Sequence, residues 1–425
     1  MRDIAVTLLI LGLFPFVLKR PWLGVLLWLW VSTMSPQRFT WGFAYNLPFA
    51  AMIGIVTLIS LIKNRDQVKF PVNAITILYV LFPLWMCVTS IFALEPDADL
   101  YERWKLLMKI FFFLLVGASL INSRKQVEWL IWTIVFSVGF YGVKGGIFTI
   151  LTGGSSKVYG PPGTGFMSDN NAISIALVMV IPLMYFLRTV TNSKWVKHGL
   201  LAAMGLSTMA VLGSQSRGAF LAIMVMMLFL WVKSSKKLFL GVLMVALLPV
   251  AIGFMPDTWT ARMRTIETYE EDSSAMGRIN AWTMAFNLAN DRPLVGGGFE
   301  IYNAKTFAKY APNPLDVHAA HSIYFQILGE HGYVGLALFL SIGFVAWATA
   351  ARIIKISRSN PELAWAASFA GAIQVSLLGY ATGGAFVNIA YWELPYYEIV
   401  GLMVVERLLV KAKLEAGKKV AGALA

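Results

Sequence analysis

Residues 130–151 read LIWTIVFSVGFYGVKGGIFTIL, an apolar run that contains a single charged side chain, Lys144. These 22 residues are close to the roughly 20 that an α-helix needs to cross the hydrocarbon core of a bilayer. Further apolar runs occupy residues 72–93 and 237–255. Because each run is continuous rather than alternating, the pattern indicates membrane helices and not the strands of a barrel. The sequence therefore predicts an all-α, polytopic membrane protein.

Composition predicts the same class. Of the 425 residues, 58% are hydrophobic and 13% are charged, and the mean hydropathy is +0.68, whereas soluble domains carry about 25% charged residues. The single cysteine, Cys87, lies within an apolar run, which excludes a disulfide framework and a thiolate metal cluster. Residues 4–18 resemble a signal peptide, but basic residues and Pro21 follow them instead of a small-residue cleavage site. We interpret them as a retained membrane segment.

The net charge of +13 does not indicate a nucleic-acid-binding surface, because the basic residues are spread over short connections between apolar runs. That distribution follows the positive-inside rule and places these connections in the cytoplasm. The basic connections are residues 63–69, 124–125, 188–197, 233–237, 352–358 and 411–419. The outward connections are then residues 35–46, 95–103, 153–171, 214–218, 256–322 and 383–395. The alternation predicts about 12 or 13 crossings, because residues 4–34 could form one broken helix or two.

One outward connection is much longer than the others and divides the chain into three parts. Residues 1–255 form a transmembrane helical bundle, residues 256–322 a long loop, and residues 323–425 the last membrane helices with a basic cytoplasmic tail. The long loop contains a helical pattern at residues 275–290, preceded by an acidic patch at residues 267–272. A membrane loop of this length is expected to form short helices that cap a cavity.

Two arginines lie on the outward side, where the positive-inside bias disfavours basic residues. Arg217 lies in the turn GSQSRG at residues 213–218, between two short apolar runs. A guanidinium held there below the membrane surface suits a phosphate, although a snorkelling arginine is the alternative. Arg278 begins the helical pattern of the long loop, and its alternative is a solvated surface arginine neutralised by the acidic patch.

His321 ends the long loop, where the next membrane helix begins. His318 precedes it by three positions, so a metal site has to be considered. No third ligand recurs at a suitable spacing and no His-Glu-x-x-His motif occurs, and we predict no metal. A histidine with a near-neutral pKa at the mouth of a membrane cavity suits a general base. The alternative is a polar residue at the interface.

Three further polar positions interrupt or flank apolar runs. Lys144 lies about two turns below the outward end of its run, where an ammonium needs an anionic partner or water. Asn170 follows Asp169 at the outward start of a helix, for which N-terminal capping is the simpler interpretation. Glu330 would lie roughly 13 Å along the helix from His321, too deep to act on the same atom, so we assign it to packing or a buried pair.

The motifs around these residues resemble those of the O-antigen ligase and polymerase superfamily. The motifs are Ser216-Arg217-Gly218, Gly277-Arg278-x-x-x-Trp282, Gly296-x-Gly298-Phe299, His321-Ser322-x-Tyr324 and Glu330-x-Gly332-x-x-Gly335. The motifs occur in the order of the superfamily and lie on the outward side of the membrane. The resemblance covers about half the chain, from the region of Gly160 to the helix after His321. The opening, including FTWGFAY at residues 39–45, further resembles the exosortase A-associated O-glycosylation ligase branch. Ser322 is a departure, since many members carry asparagine after the histidine.

The resemblance implies an inverting, metal-independent glycosyltransferase of the GT-C type without a cofactor, in the bacterial inner membrane with its active site facing the periplasm. The donor would be a glycan on undecaprenyl pyrophosphate, and the acceptor a hydroxyl of lipid A core, a protein or another glycan. Membrane lipids and exosortase-system proteins are the other expected partners. Arg217 and Arg278 would bind pyrophosphate, and His321 would act as general base. The expected substrate contacts are Lys144, Asn170, Tyr324 and His318.

Two alternatives stay open. A polymerase of the same superfamily would use the same donor chemistry and differ in the acceptor that reaches His321. A transporter or flippase of polyprenyl-linked glycans would use the same cations to line a pathway. That function predicts internal repeats and polar residues that continue to the cytoplasmic side. The sequence has no evident repeat, and apart from Glu330 and His331 its charged positions end near the outward third.

Overall fold

The computed structural model describes residues 1–163, 165–234, 236–264, 270, 272–358 and 360–424. Residues 267–269 and 271 of the predicted acidic patch lie outside the described residues, as do the side chains of the basic tail from residue 413 onward. In the part that is described, the regular elements are helices and no strand occurs. The α-helices are α1 (Arg2–Lys19), α2 (Trp22–Met34), α3 (Phe49–Lys63), α4 (Ala74–Ile91), α5 (Ala98–Leu120), α6 (Arg124–Leu151), α7 (Asn170–Val190), α8 (Lys194–Gly213), α9 (Arg217–Lys233), α10 (Lys237–Phe254), α11 (Asp257–Arg264), α12 (Ser273–Asp291), α13 (Ala304–Tyr310), α14 (Ile323–Ser357), α15 (Ala364–Gly384) and α16 (Glu393–Leu424).

Six helices among the described residues are long and apolar enough to cross a membrane, which confirms the all-α, polytopic class. They are Ala74–Ile91, Arg124–Leu151, Asn170–Val190, Lys194–Gly213, Ile323–Ser357 and Pro361–Gly384. The helices α2 and α3 are apolar but shorter. This number is smaller than the 12 or 13 crossings expected from charge alternation, in part because charged residues occupy the first half of long helices such as α5.

The first two helices are separate and run antiparallel. Asp3, near the start of α1, accepts hydrogen bonds from the backbone N–H groups of Gly42 and Ala44, both at 3.0 Å, beyond the end of α2. Ser60, near the end of α3, donates to the carbonyl oxygen of Val17, near the end of α1, at 2.6 Å. The start of α1 therefore lies at the same end of the bundle as the connection between α2 and α3. The structure contains two helices here, not one broken helix.

Contacts between connections define two ends of the bundle. At one end, Arg407 of α16 donates to the carbonyl oxygens of Lys69 and Ile121 at 2.7 and 2.8 Å. These contacts join the C-terminal helix to two basic connections, and we call this the basic end. At the other end, Gln215 donates to the carbonyl oxygen of Gly154 at 3.1 Å. The long segment between α10 and α14 also lies there, and we call it the long-loop end.

Helix α7 lies at the centre of the bundle. Nearly all its side chains from Asn170 to Leu187 are buried, and it packs against α6, α8, α9 and α15. The helices α6 and α8 approach closely, because a Cβ atom on Gly146 of α6 would lie 2.1 Å from the carbonyl oxygen of Leu206. Small residues permit such packing where lipid gives no hydrophobic force between helices. These helices hold the α8–α9 turn at the long-loop end.

The long segment forms α11, α12 and α13 and then docks on an interruption in α14. The N–H groups of Gly297 and Gly298 donate to the carbonyl oxygens of Gly329 and Glu330, both at 2.9 Å. One turn of α14 is broken at the same place, where Gly332 has φ 67° and ψ −169°. The Gly296-x-Gly298-Phe299 motif is therefore also the joint between the long segment and the membrane helix that follows His321.

Candidate active site

Arg217 is the first residue of α9 and follows a tight, buried turn. Gln215 in this turn has a φ of 56°, and Ser216 caps α9 by accepting a backbone hydrogen bond at 3.3 Å. Asn170, at the start of α7, donates its side-chain amide to the carbonyl oxygen of Ser214 at 2.8 Å. Asn170 therefore holds the turn that presents Arg217 at the long-loop end.

An ion pair ties Arg217 to the long segment. Its Nη1 lies 2.6 Å from Oδ2 of Asp272, and the two side chains are 14% and 19% exposed. The carboxylate of Asp272 also caps α12, because Oδ1 accepts a hydrogen bond from the N–H of Ala275 at 2.9 Å. Solvent ions screen a partly buried pair less than an exposed one. The contact therefore fixes the start of α12 relative to the α8–α9 turn, and Arg217 is not a snorkelling surface residue.

Arg278 lies six positions after Asp272 on α12 and is partly buried. Its Nε atom is buried and has no hydrogen-bond partner among the described residues. Burial lowers the pKa of this guanidinium, and the positive charges of Arg217 and Arg262 lower it further, while Asp272 and Asp169 act in the opposite direction. An arginine stays charged in such surroundings. A buried cation with an unused donor is suited to receive an anionic ligand.

His321 lies in the loop that precedes α14, near enough to Arg278 for the two groups to interact electrostatically. Its φ of 44° places the residue in the left-handed region, and its ring is partly buried. Burial lowers the pKa of the imidazole below the ordinary 6.5, and the charge of Arg278 lowers it further, while the carboxylate of Asp169 raises it. A lowered pKa favours the neutral form of the imidazole, which can accept a proton.

Trp282 fixes the loop that carries His321. Its Nε1 donates to the carbonyl oxygen of Ala320 at 2.6 Å, and its ring stacks on Phe325 with the centroids 5.1 Å apart. Residues four positions apart lie on the same face of a helix. Arg278 and Trp282 therefore share one face of α12, and the spacing in the Gly-Arg-x-x-x-Trp motif brings the guanidinium and the His321 loop together.

Three charged residues near this cluster were not predicted as site residues. Asp169 caps α7 through hydrogen bonds of 2.8 and 3.0 Å, and its carboxylate also interacts with the charges of Arg278 and His321. Arg262 of α11 donates through Nε to a carbonyl oxygen of the α8–α9 turn at 3.0 Å. Burial lowers the pKa of Lys157, and the charge of Arg262 lowers it further. Both cations lie in outward connections, against the positive-inside bias, and that signal could have found them.

His318 and Tyr324 lie on either side of His321. His318 pairs with Asp316, whose Oδ1 lies 2.8 Å from Nδ1. The ring packs on α12 at Gly277, where a Cβ atom would lie 2.9 Å from Nδ1. Tyr324 donates its hydroxyl to a carbonyl oxygen of α15 at 2.8 Å. Among the described residues, no group of three or more His, Cys, Asp or Glu side chains is arranged to hold a metal.

Lys144 is not part of this cluster. Its side chain is exposed in a groove between α6 and α8, and Nζ lies 5.9 Å from the centre of the Phe39 ring. The structure therefore brings together Arg217, Arg278 and His321, with His318 beside them, and places Lys144 elsewhere on the bundle.

Glu330 lies in a buried polar cluster at the interruption of α14. The hydroxyl of Tyr391 donates to Glu330 and lies 2.8 Å from Nε2 of His331. The other ring nitrogen of His331, Nδ1, lies 2.7 Å from Oγ1 of Thr89. This cluster joins α4, α14 and the connection before α16. Its contacts agree with the packing role expected for Glu330.

Two parts of the chain match known families. Residues 201–340 match a family described as O-antigen ligase. Residues 1–192 match a family of unknown function, DUF5935. No curated protein matches the chain. The first match contains Arg217, Arg278 and His321, and it supports the resemblance to the O-antigen ligase and polymerase superfamily. The resemblance to the exosortase-associated branch stays a prediction.

Proposed function

We propose that this multi-pass membrane protein, in which residues 201–340 match the O-antigen ligase family, is a glycosyltransferase that moves a glycan from undecaprenyl pyrophosphate to an acceptor hydroxyl. One observation carries the proposal. Arg278, whose buried Nε has no hydrogen-bond partner among the described residues, lies near enough to His321 for its charge to act on the imidazole, and this charge and burial lower the pKa of that ring. A fixed cation and a neutral base are the two groups that this transfer needs.

The proposed reaction is a single displacement. The acceptor oxygen attacks the anomeric carbon of the donor glycan, and a new carbon–oxygen bond forms. The bond from that carbon to the pyrophosphate oxygen breaks, and its electrons leave with undecaprenyl pyrophosphate. His321 takes the proton of the acceptor hydroxyl. Attack from the side opposite the leaving group inverts the anomeric carbon.

Positive charge would stabilise the leaving group. Arg278 would donate to the pyrophosphate, and Arg217 would add a second guanidinium held at a fixed place by Asp272. Planar guanidinium groups match phosphate oxygens and keep their charge. Arg262 and Lys157 would add further positive charge nearby. In this proposal these cations perform the role for which many phosphate-transfer enzymes use a divalent ion.

We assign the long-loop end to the periplasm and the protein to the bacterial inner membrane. The basis is the collection of basic connections at the opposite end of the bundle, which the positive-inside rule places in the cytoplasm. Lipid A core, a protein or another glycan would supply the acceptor hydroxyl from the periplasmic side. An export partner of the exosortase type belongs to the same proposal.

The test is transfer from a purified undecaprenyl-pyrophosphate glycan in detergent with EDTA present. The parent would be compared with Arg278→Ala, His321→Ala and the control Arg352→Ala, which removes an exposed arginine paired with Glu406. Release of undecaprenyl pyrophosphate by the parent and the control, but not by the two site variants, is the expected result. A product with one added glycan indicates a ligase, and a ladder indicates a polymerase. Movement of intact donor across a vesicle membrane without release would overturn the proposal in favour of a transporter.

A further inference from the structure

A wide groove between α6 and α8 lies apart from the candidate active site. Its volume is about 850 Å³, and none of its lining residues is Arg217, Arg278 or His321. Phe136 and Ile147 of α6, Gly199 and Ala203 of α8 and Met184 of α7 are among its lining residues. The groove is therefore almost entirely apolar, as expected of a surface that faces lipid tails.

Lys144 is the exception in this lining. Residues 129–151 contain no other charged side chain. The Lys144 side chain is exposed, its Nζ lies over the Phe39 ring, and none of the salt bridges among the described residues includes it. Ionisable residues within membrane helices usually face the bundle interior and pair with one another. An exposed ammonium in an apolar groove is suited to an anionic group from outside the chain.

We propose that this groove binds an anionic phospholipid of the surrounding bilayer, with its phosphodiester at Lys144 and an acyl chain running toward Trp132. Lys144 lies near the long-loop end of the groove, and Trp132 lies near its other end. The 12 positions between them correspond to about 18 Å of helix. Half of the hydrocarbon core measures about 15 Å. The groove is thus long enough to hold an acyl chain of one leaflet.

The charge at the groove favours a phospholipid over the pyrophosphate donor. A lysine offers a single point charge, which suits one phosphodiester. A pyrophosphate is better matched by several guanidinium groups, and these lie together at the Arg217 and Arg278 cluster. Phospholipids are also the solvent of the membrane, so mass action favours their occupancy of an open lateral groove.

The test measures lipid retention and does not depend on transfer activity. The full-length protein would be placed in nanodiscs of phosphatidylcholine with a minor fraction of phosphatidylglycerol, and native mass spectrometry would count each lipid released with the protein. Lys144→Met removes the charge, and Lys144→Arg restores it. Lys109→Met serves as control, because Lys109 is an exposed lysine of α5 outside the groove. Gly199→Phe is chosen to obstruct the groove, since Gly199 lines it and a Cβ atom there meets nothing within 4 Å.

The expected result is a preference for phosphatidylglycerol that falls about fivefold in Lys144→Met, the factor that corresponds to the ~1 kcal/mol contributed by one lysine near a membrane surface. Lys144→Arg and Lys109→Met should keep the preference, and Gly199→Phe should retain less of both lipids. Equal preference in the parent and Lys144→Met would overturn the proposal. So would displacement of phosphatidylglycerol from the groove by stoichiometric undecaprenyl pyrophosphate, which would assign the groove to the donor.

Discussion

The guanidinium of Arg217 and the carboxylate of Asp272 meet at 2.6 Å, although 55 positions separate them in the chain. Arg217 begins α9, a helix of the bundle, and Asp272 caps α12, a helix of the long segment. One contact therefore couples the turn that presents the first cation to the helix that presents the second. Through Trp282, α12 also holds the loop that carries His321. The three candidate residues thus depend on a common set of contacts.

Asp272→Asn should remove the ion pair with Arg217 but keep the cap of α12, because asparagine also caps helices well. We expect the free energy of unfolding to fall by about 1.5–3 kcal/mol, the range for a hydrogen bond to a charged group. We also expect kcat/KM for transfer to fall at least about tenfold, because a 1 Å shift of a positioning helix is already costly. Thermal unfolding and transfer assays measure the two effects. Asp291→Asn is the control, since Asp291 pairs with Lys309 at the exposed end of α12. A fully active Asp272→Asn variant would show that the pair does not position the site.

Asp169→Asn should move the pH dependence of transfer in a defined direction. Burial and the charge of Arg278 lower the pKa of His321, and the carboxylate of Asp169 raises it. The proposed base acts when neutral, so activity holds above the pKa of His321 and is lost as the pH falls through it. Asparagine keeps the cap of α7 but removes the negative charge. The acid limb of kcat/KM against pH should therefore shift to lower pH. A shift to higher pH, or none, would contradict the assignment of His321 as the titrating base.

Much of this architecture follows from local sequence, but the ion pairs do not. Continuous apolar runs predict the helical membrane class, and the bias in the connections predicts the two ends of the bundle. Motif order places Arg217, Arg278 and His321 on the same side. The pairing of Arg217 with Asp272, however, depends on how α12 folds back over the bundle, and a linear pattern cannot give that geometry. For Lys144, the sequence shows a charge within an apolar run. It does not show that the residue lies on a face of α6 away from the candidate active site.

The glycines of the long segment also show that local sequence does not predict tertiary contacts. The motif Gly296-x-Gly298-Phe299 is visible in the sequence, yet its function as a joint depends on the interruption of α14 at Gly332, more than thirty positions later. Asp169 was predicted at the capping position of a helix. Its electrostatic effect on His321 depends on the packing of the long segment against the start of α7. The local sequence thus predicts where a helix begins or ends. Tertiary packing determines which side chains come into contact.

Arg278→Lys should show whether a fixed guanidinium or charge alone is needed. Lysine keeps the positive charge but loses the planar set of donors that matches a pyrophosphate. Removal of one donor that stabilises developing charge costs about 10²–10³ in kcat, and we expect a fall of that order in transfer by a folded variant. Arg352→Lys at an exposed ion pair should stay within about twofold of the parent, because exposed pairs contribute little. Normal kcat in Arg278→Lys would mean that Arg278 supplies only diffuse positive charge.

Gly296→Ala should uncouple the long segment from α14. Gly296 has a φ of 60°, and a Cβ atom there would lie 2.5 Å from the carbonyl oxygen of Gly329. The left-handed conformation alone costs a non-glycine residue about 1–2 kcal/mol, and the contact would also push apart the neighbouring hydrogen bonds from Gly297 and Gly298. We expect a lower midpoint of thermal unfolding together with reduced transfer.

Gly343→Ala is the matched control for this prediction. Gly343 lies further along α14, and a Cβ atom there meets nothing within 4 Å. Alanine is favoured over glycine in a helix by about 1 kcal/mol, so this variant should be as stable as the parent or more so. If both variants unfold at the temperature of the parent, the glycine joint does not hold the long segment. If Gly296→Ala loses stability but keeps full transfer activity, the joint supports the fold without setting the positions of Arg278 and His321.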